Sequence, residues 1–240
     1  MSNNTALKKI ELPNLIAALP CSAEAKELLL VAGGRPPSAT WLRAVAQNRE
    51  LHAIDHGLDA CFAAKLKPLS LLGDGDSAVK ANWQKAAELN IPIEKHPAAK
   101  DLTDTELALA KIKAGEENVF ILLSGAFGGR LDHLFSNVYS FLHCGLKGCL
   151  ADEREALFFL RDGEKMELNF SKQPKSISLL PLSAQCRGVS INGVRWQLNN
   201  AIISQQLPST ISNELTDINA GCEISLAQGE LGVYICFDEA

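Results

Sequence analysis

From Leu28 onward, short apolar runs alternate with segments of helical period. LLLVA (28–32) precedes SATWLRAVAQN, LHAID (51–55) precedes GLDACFAAK, and PLSLL (68–72) precedes SAVKANWQKAAELN. IPIEK (91–95) then precedes TDTELALAKIKAG, and NVFILLS (118–124) precedes LDHLFSNVYSFLHCG. A run too short for a helix, followed by a 3.6-residue period, predicts a buried strand joined by a helix to the next parallel strand. Five such units in a row predict a parallel sheet with helices on both faces. Ligands of such sheets bind beyond the carboxyl ends of the strands.

After GCLADE (148–153) the pattern changes to short β-type stretches punctuated by turns: ALFFLRDGEKMELNF, KSISLLPLS, GVSINGVRWQL, NAIISQQL and CEISLAQGELGVYICF. No helical period returns, and Asp162-Gly163 predicts a hairpin between LFFLR and EKMELNF. The expected division is an α/β domain over residues 1–153, with 1–27 as its N-terminal extension, and an all-β domain over 154–240. The amphipathic LPNLIAAL within that extension could pack on either domain.

Composition narrows the function classes. The 240 residues are 47% hydrophobic and 21% charged with a net charge of −5, which fits a folded soluble protein and offers no basic footprint for nucleic acid or anionic lipid. An anionic ligand therefore needs local cations or a metal. No stretch reads as a signal peptide or reaches the ~18 apolar residues of a membrane span, so a cytoplasmic protein with no membrane partner is expected. Seven cysteines without a Cys-x-x-Cys fit a reducing compartment. Cys144 and Cys149, near His133 and His143, have no second half of a zinc motif and read as small buried hydrophobes.

The chemistry concentrates at strand ends. In LKPLSLLGDGDSAVK, Gly73-x-Gly75-x-x-Ala78 fits a dinucleotide fingerprint, but Asp74 and Asp76 would aim negative charge at a pyrophosphate. A divalent cation reverses that sign, because paired carboxylates hold magnesium and leave positions open for substrate phosphates. A solvated turn capping the next helix, with Asp76 or Ser77 as N-cap, is the plain structural alternative. Neighbouring strand ends repeat the theme: Asp55 in IDHGLD, Asp101 and Asp104 with Lys100 in KDLTDTE, and Arg130, Asp132 and His133 after glycines in SGAFGGRLDH. Helix caps alone do not need the cations. Carboxylates for magnesium, glycine amides and fixed cations for phosphate oxygens together suit a metal-polyphosphate site.

The ordered series Asp55, GDGDS, KDLTDTE, GGRLDHLFSN, GVRWQL and STISNE resembles the thiamine pyrophosphokinase family over nearly the whole chain from residue 28. The resemblance implies a Rossmann-like N-terminal nucleotide domain, a C-terminal β-sandwich, and a homodimer with thiamine bound near the subunit interface. It implies transfer of a diphosphate from ATP to the thiamine hydroxyl, with AMP leaving. By position, Asp74, Asp76 and Asp101 match the family's magnesium-binding acids, and Asp55 and Asp104 lie in its acidic ATP site. Lys100 and Arg130 match residues near the phosphates, and Asp132 the acid where metal and thiamine meet. Asp101, Arg130 and Asp132 are thus the expected catalytic group. Ser212 and Asn213 match a pair that binds the aminopyrimidine, and Trp196 lies in a neighbouring family segment. The chain departs from the family in having Asp55-His56-Gly57 where Asp-Gly-Gly is common, and Gly75 where a bulky residue is frequent. Trp41 and Trp83 lie on apolar helical faces and are expected in the core. Rival readings are a magnesium-dependent pyrophosphokinase or phosphohydrolase acting on another substrate, a non-catalytic sensor of thiamine or nucleotide, and, last, a dinucleotide oxidoreductase.

Overall fold

A computed structural model describes residues 7–73, 79–95, 102–115, 118–207 and 209–238. They fall into two compact units: Ala25–Asp152 form one, and the residues up to Glu24 together with those from Glu153 form the other. The fold is mixed α/β, with parallel strands and helices in the first unit and antiparallel strands in the second.

The described residues open with β1 (Leu7–Leu12) and β2 (Leu15–Pro20), paired antiparallel across Pro13-Asn14. Within this segment Ile10, Leu12, Leu15, Ala17 and Leu19 are buried while Glu11 and Ile16 are exposed, the two-residue period of a strand. Residues 7–24 therefore belong to the β unit rather than extending the α/β domain as the sequence suggested, and the α/β unit begins at Ala25. β2 pairs with a strand near residue 168, and the junction back into the β unit falls between Asp152 and Glu153.

The α/β unit contains β3 (Lys26–Val31), α1 (Ala39–Ala46), β4 (Glu50–Ile54), α2 (Gly57–Ala63), β5 (Ser70–Gly73) and α3 (Lys80–Glu88). It continues with β6 (Ile93–Lys95), α4 (Asp104–Gly115), β7 (Val119–Ser124), α5 (Leu131–Cys144) and β8 (Lys147–Ala151). Its strands lie in the order β8-β7-β3-β4-β5-β6, all parallel. From β3 the chain winds outward through β4, β5 and β6, then returns to lay β7 and β8 on the opposite side of β3. The direction of winding thus reverses between β3 and β7, where ligands of open α/β sheets bind. All six residues of β7 are buried, as a central strand covered on both faces requires. Helices α1, α2 and α3 pack in sequence on one another, and α4 packs on α5. Trp41 is buried in α1, but Trp83 is only half-buried because α3 buries just Ala86, and Lys95 approaches its ring.

The β unit adds β9 (Glu155–Leu160), β10 (Lys165–Phe170), β11 (Ser176–Pro181), β12 (Gln185–Asn192), β13 (Leu198–Ser204), β14 (Cys222–Ser225) and β15 (Leu231–Cys236). Strands β1-β2-β10-β14-β12-β13 form one sheet, and β11, β15 and β9 pair antiparallel beside one another. Asp162-Gly163 does turn the chain, with Gly163 at φ +76°, but not into the expected hairpin. β9 pairs with β15, whereas β10 pairs with β14 and β2. The turn is claimed by a distant loop instead: Gly163 N donates to Ala227 O and Asp162 Oδ1 accepts from Gly229 N. Met166, Ile177, Val189 and Val233 are fully buried in this unit.

All seven cysteines are buried free thiols. Burial pushes the Cys149 thiol up to about 12, which keeps it protonated and unsuited to zinc. Among the described residues, no helix is long and apolar enough to cross a membrane.

Candidate active site

At the β3/β7 reversal lies a cleft of about 510 Å³ whose lining includes Gly34, Asp55, Asp104, Gly129, Arg130 and His133. Its walls are joined by backbone. Ala32 N donates to Ser124 O, Gly34 N to Gly125 O, and Arg35 N to Phe127 O, at 2.8, 2.8 and 2.6 Å. This approach depends on glycine: Gly125 has φ +66°, and a Cβ there would lie 2.2 Å from Ala32 O. Beneath the loops, Arg35 donates from Nε and Nη2 to Asp152 Oδ2 at 3.0 and 2.6 Å, with Asp152 almost fully buried. Asn137, buried on α5, donates to Ala126 O at 3.1 Å. Arg35 and Asp152 stand in no motif and are 117 residues apart, so the sequence does not reveal them, whereas Asn137 closes the GGRLDHLFSN segment without a role assigned to it there.

Asp55 ends β4 with φ +45°, its amide donating to Leu72 O at 2.9 Å. Its Oδ1 is buried, and a Cβ on Gly73 would fall 1.8 Å from it. Glycine at 73, whose φ is +151°, is what leaves room for that carboxylate. Asp59 of α2 accepts from Val79 N (3.2 Å) and Asn82 Nδ2 (2.7 Å) and so caps α3. Asp55 thus packs over Gly73, the first residue of GDGDS, and Asp59 of α2 holds Val79 beyond its end. Asp74 and Asp76 themselves, like Lys100 and Asp101, lie outside the described residues. Among the described residues no cluster of three or more His, Cys, Asp or Glu could hold a metal ion.

Thr103 and Glu106 form a capping box at the start of α4: Glu106 Oε2 accepts from Thr103 N at 2.7 Å, and Thr103 Oγ1 from Glu106 N at 3.2 Å. The first turn of α4, Asp104 and Thr105, lines the cleft. Arg130 precedes α5 and makes a bidentate pair with Asp132, its Nε donating to Oδ1 at 3.1 Å. Hydrogen bonding from Arg130 holds the Asp132 carboxyl below its ordinary range, and Asp132 in turn raises Arg130. Both side chains are well exposed, at 74% and 62%, so the pair is cheap to open when an anion arrives. His56, at the position where the family commonly has glycine, lines the cleft with Nε2 3.5 Å from Asp59 Oδ2.

The β unit holds its own pocket, about 350 Å³, lined by Ile177, Leu179, Ile191, Trp196, Ser212 and Asn213 among others. Trp196 is 54% exposed. Asn213 faces its backbone: Oδ1 accepts from Trp196 N (3.1 Å) and Glu214 N (2.9 Å), while Nδ2 donates to Trp196 O (2.7 Å). Ser212 has φ +60° and donates its amide to the buried Ser178 Oγ at 2.9 Å. The structure therefore brings Asp55, Asp104 and Arg130 to one cavity, with Asp132 against Arg130, and Trp196, Ser212 and Asn213 to another.

Comparison with known proteins covers both units. A family model described as thiamin pyrophosphokinase, catalytic domain, matches residues 42–150, and one described as thiamin pyrophosphokinase, vitamin B1 binding domain, matches residues 165–231. A thiamine pyrophosphokinase of Bacillus subtilis is 27% identical over 210 residues, covering 86% of this chain and 96% of its own. The crystal structure of a thiamin pyrophosphokinase from Geobacillus thermodenitrificans superposes with a TM-score of 0.76 at 26% identity, over 89% of this chain and 99% of that one. A thiamin pyrophosphokinase from Candida albicans, 14% identical, shares the fold over 90% of both chains with a TM-score of 0.73.

Proposed function

The chain belongs to the thiamin pyrophosphokinase family, and from that premise we propose that it transfers the diphosphate of ATP to the hydroxyl of thiamine, giving thiamine diphosphate and AMP. The observation that carries this reading is the placement of a polar, glycine-walled cleft mostly in the segment matched by the catalytic model and of a pocket lined by Trp196 in the segment matched by the vitamin B1 model.

The thiamine hydroxyl oxygen attacks the β-phosphorus in line; the bond from that phosphorus to the oxygen bridging to the α-phosphate breaks, and AMP leaves with the electron pair. Such transfers depend on positioning and on neutralising charge more than on a strong base. Arg130, released from Asp132, meets the developing charge on the phosphate oxygens, while amides of the glycine loop and the first turn of α4 hold the chain of phosphates. Asp132, held as a carboxylate, orients Arg130 before substrate binds and accepts the hydroxyl proton afterwards. Lys100 adds a cation, and Asp55 and Asp104 shape the acidic end of the nucleotide site. Oxygen-only donors of this kind fit magnesium, and the Asp55 carboxylate cradled over Gly73 supports an acidic site beside GDGDS. Asp74, Asp76 and Asp101 would hold the ion, which when bound neutralises phosphate charge.

Exposed Leu131, Phe135 and Tyr139 form an i, i+4, i+8 stripe on α5, with Phe135 and Tyr139 stacked. This exposed apolar face supports a homodimer, and the family likeness extends that to thiamine bound near its interface. Seven free thiols suit the reducing cytoplasm. The test is to incubate the protein with ATP, magnesium and thiamine and to follow AMP and thiamine diphosphate by chromatography. Equimolar appearance of both, abolished by EDTA, is expected; ADP, or AMP without thiamine diphosphate, would sink the assignment.

A further inference from the structure

Trp196 is unusually well fixed for an exposed aromatic. Asn213 holds both its amide and its carbonyl, and Val194 and Leu215 form a β-bridge just behind it. One face of the indole is covered: the Arg195 guanidinium carbon lies 4.7 Å from the ring centroid. Arg195 is itself held by Glu214, its Nη1 donating to Oε2 at 3.0 Å and its amide to Glu214 O at 2.9 Å. Trp196 lines the pocket and Arg195 does not; with Arg195 over one face of the ring, the opposite face is the one left open to a ligand.

A guanidinium on one face of an indole already draws on the negative charge of the ring, and it repels any second cation brought to the opposite face. Thiamine carries two rings of different charge, a neutral aminopyrimidine and a cationic thiazolium that bears the hydroxyethyl arm. We infer that Arg195, braced by Glu214, is a specificity-determining positioning residue: it makes the free face of Trp196 a platform for the neutral ring and rejects the thiazolium. The thiazolium is thereby turned away from the platform, and its hydroxyl projects out of the pocket to be phosphorylated. This inference rests on the thiamine reading above.

The test measures binding of thiamine, of a neutral 4-aminopyrimidine and of an N-alkylthiazolium to the full-length protein by calorimetry, alongside KM and kcat for thiamine. The wild type should prefer the aminopyrimidine to the thiazolium. In Arg195→Gln that preference should shrink roughly 3- to 30-fold, with the thiazolium bound more tightly, KM for thiamine raised and kcat within about twofold. Glu214→Gln removes the counter-charge of Arg195 and should leave the preference for the neutral ring at least as large as in the wild type, and thermal melts verify that both variants are folded. A preference unchanged in a folded Arg195→Gln overturns the inference while leaving the thiamine reading intact. A wild type that neither binds nor turns over thiamine overturns both.

Discussion

In the α/β unit the cleft is assembled from main chain: the loops after β3 and β7 are zipped by amide-to-carbonyl bonds, and Asp55 is admitted by the bare Cα of Gly73. In the β unit the pocket is assembled from side chains, with Asn213 clamping Trp196 and Arg195 and Glu214 bracing its ring. The difference follows from what each cavity is proposed to hold. Phosphate oxygens are satisfied by many N–H donors that cost nothing to place once the chain is folded. A flat ring needs one large surface held at one angle, which only a restrained aromatic supplies.

If that contrast is right, damage to the two cavities should separate into different observables. Arg130→Ala, at an exposed position, should lower kcat by about 100- to 1000-fold with the melting temperature unchanged; steady-state kinetics with a thermal scan checks this, and near-native kcat would remove Arg130 from the chemistry. Gly125→Ala should act on the fold itself, because its Cβ meets Ala32 O and its φ is left-handed. A loss of about 2–3 kcal/mol in urea titration is expected, and a stability within error of wild type would break the claim that backbone approach builds the cleft. Trp196→Ala should raise KM for thiamine roughly 3- to 10-fold and leave kcat nearly untouched; a fall in kcat alone would blur the two regions into one.

The smallest effect is a control lying outside both cavities. His52 sits between β3 and β5, its Nδ1 2.8 Å from Ser70 Oγ, and burial lowers its pKa against an opposing pull from Glu50. Because the folded value lies below the unfolded 6.5, the unfolded chain binds the extra proton. The contribution of His52 to stability is therefore fully present above that pH and lost as pH falls below it through the folded value. Urea titrations between pH 7 and 5 should show a shallower loss for His52→Gln than for wild type. An equal or steeper loss would reassign the acid sensitivity to another group.

Much of the cleft was legible because strand-helix alternation and the polar residues at strand ends are local in sequence. The order of units 28–145 and the positions of Asp55, Asp104 and Arg130 follow from that alone. The pocket was far less legible. Asn213 reads as a polar residue in a loop until Trp196, 17 positions earlier, is brought against it. Arg35 and Asp152 are invisible for the same reason at greater separation. Asp162-Gly163 illustrates the converse error: its turn chemistry is local and correct, but strand pairing is decided by which sheet each flank can reach. The opening segment misled because LPNLIAAL satisfies an amphipathic pattern whether read as helix or strand, and its partner at Leu168 lies about 150 residues on.

That pairing of β2 with β10 also sets an order of events in synthesis. The α/β unit, Ala25–Asp152, interrupts the β unit between β2 and β9. As the chain leaves the ribosome, β1 and β2 emerge first with one open edge whose partner does not yet exist. The inserted unit can complete its own contacts in the meantime, since they are closer in sequence. The outer unit closes only when the strands that follow the insertion are made, so this protein matures from the inside outward, and β1 and β2 wait longest for their place.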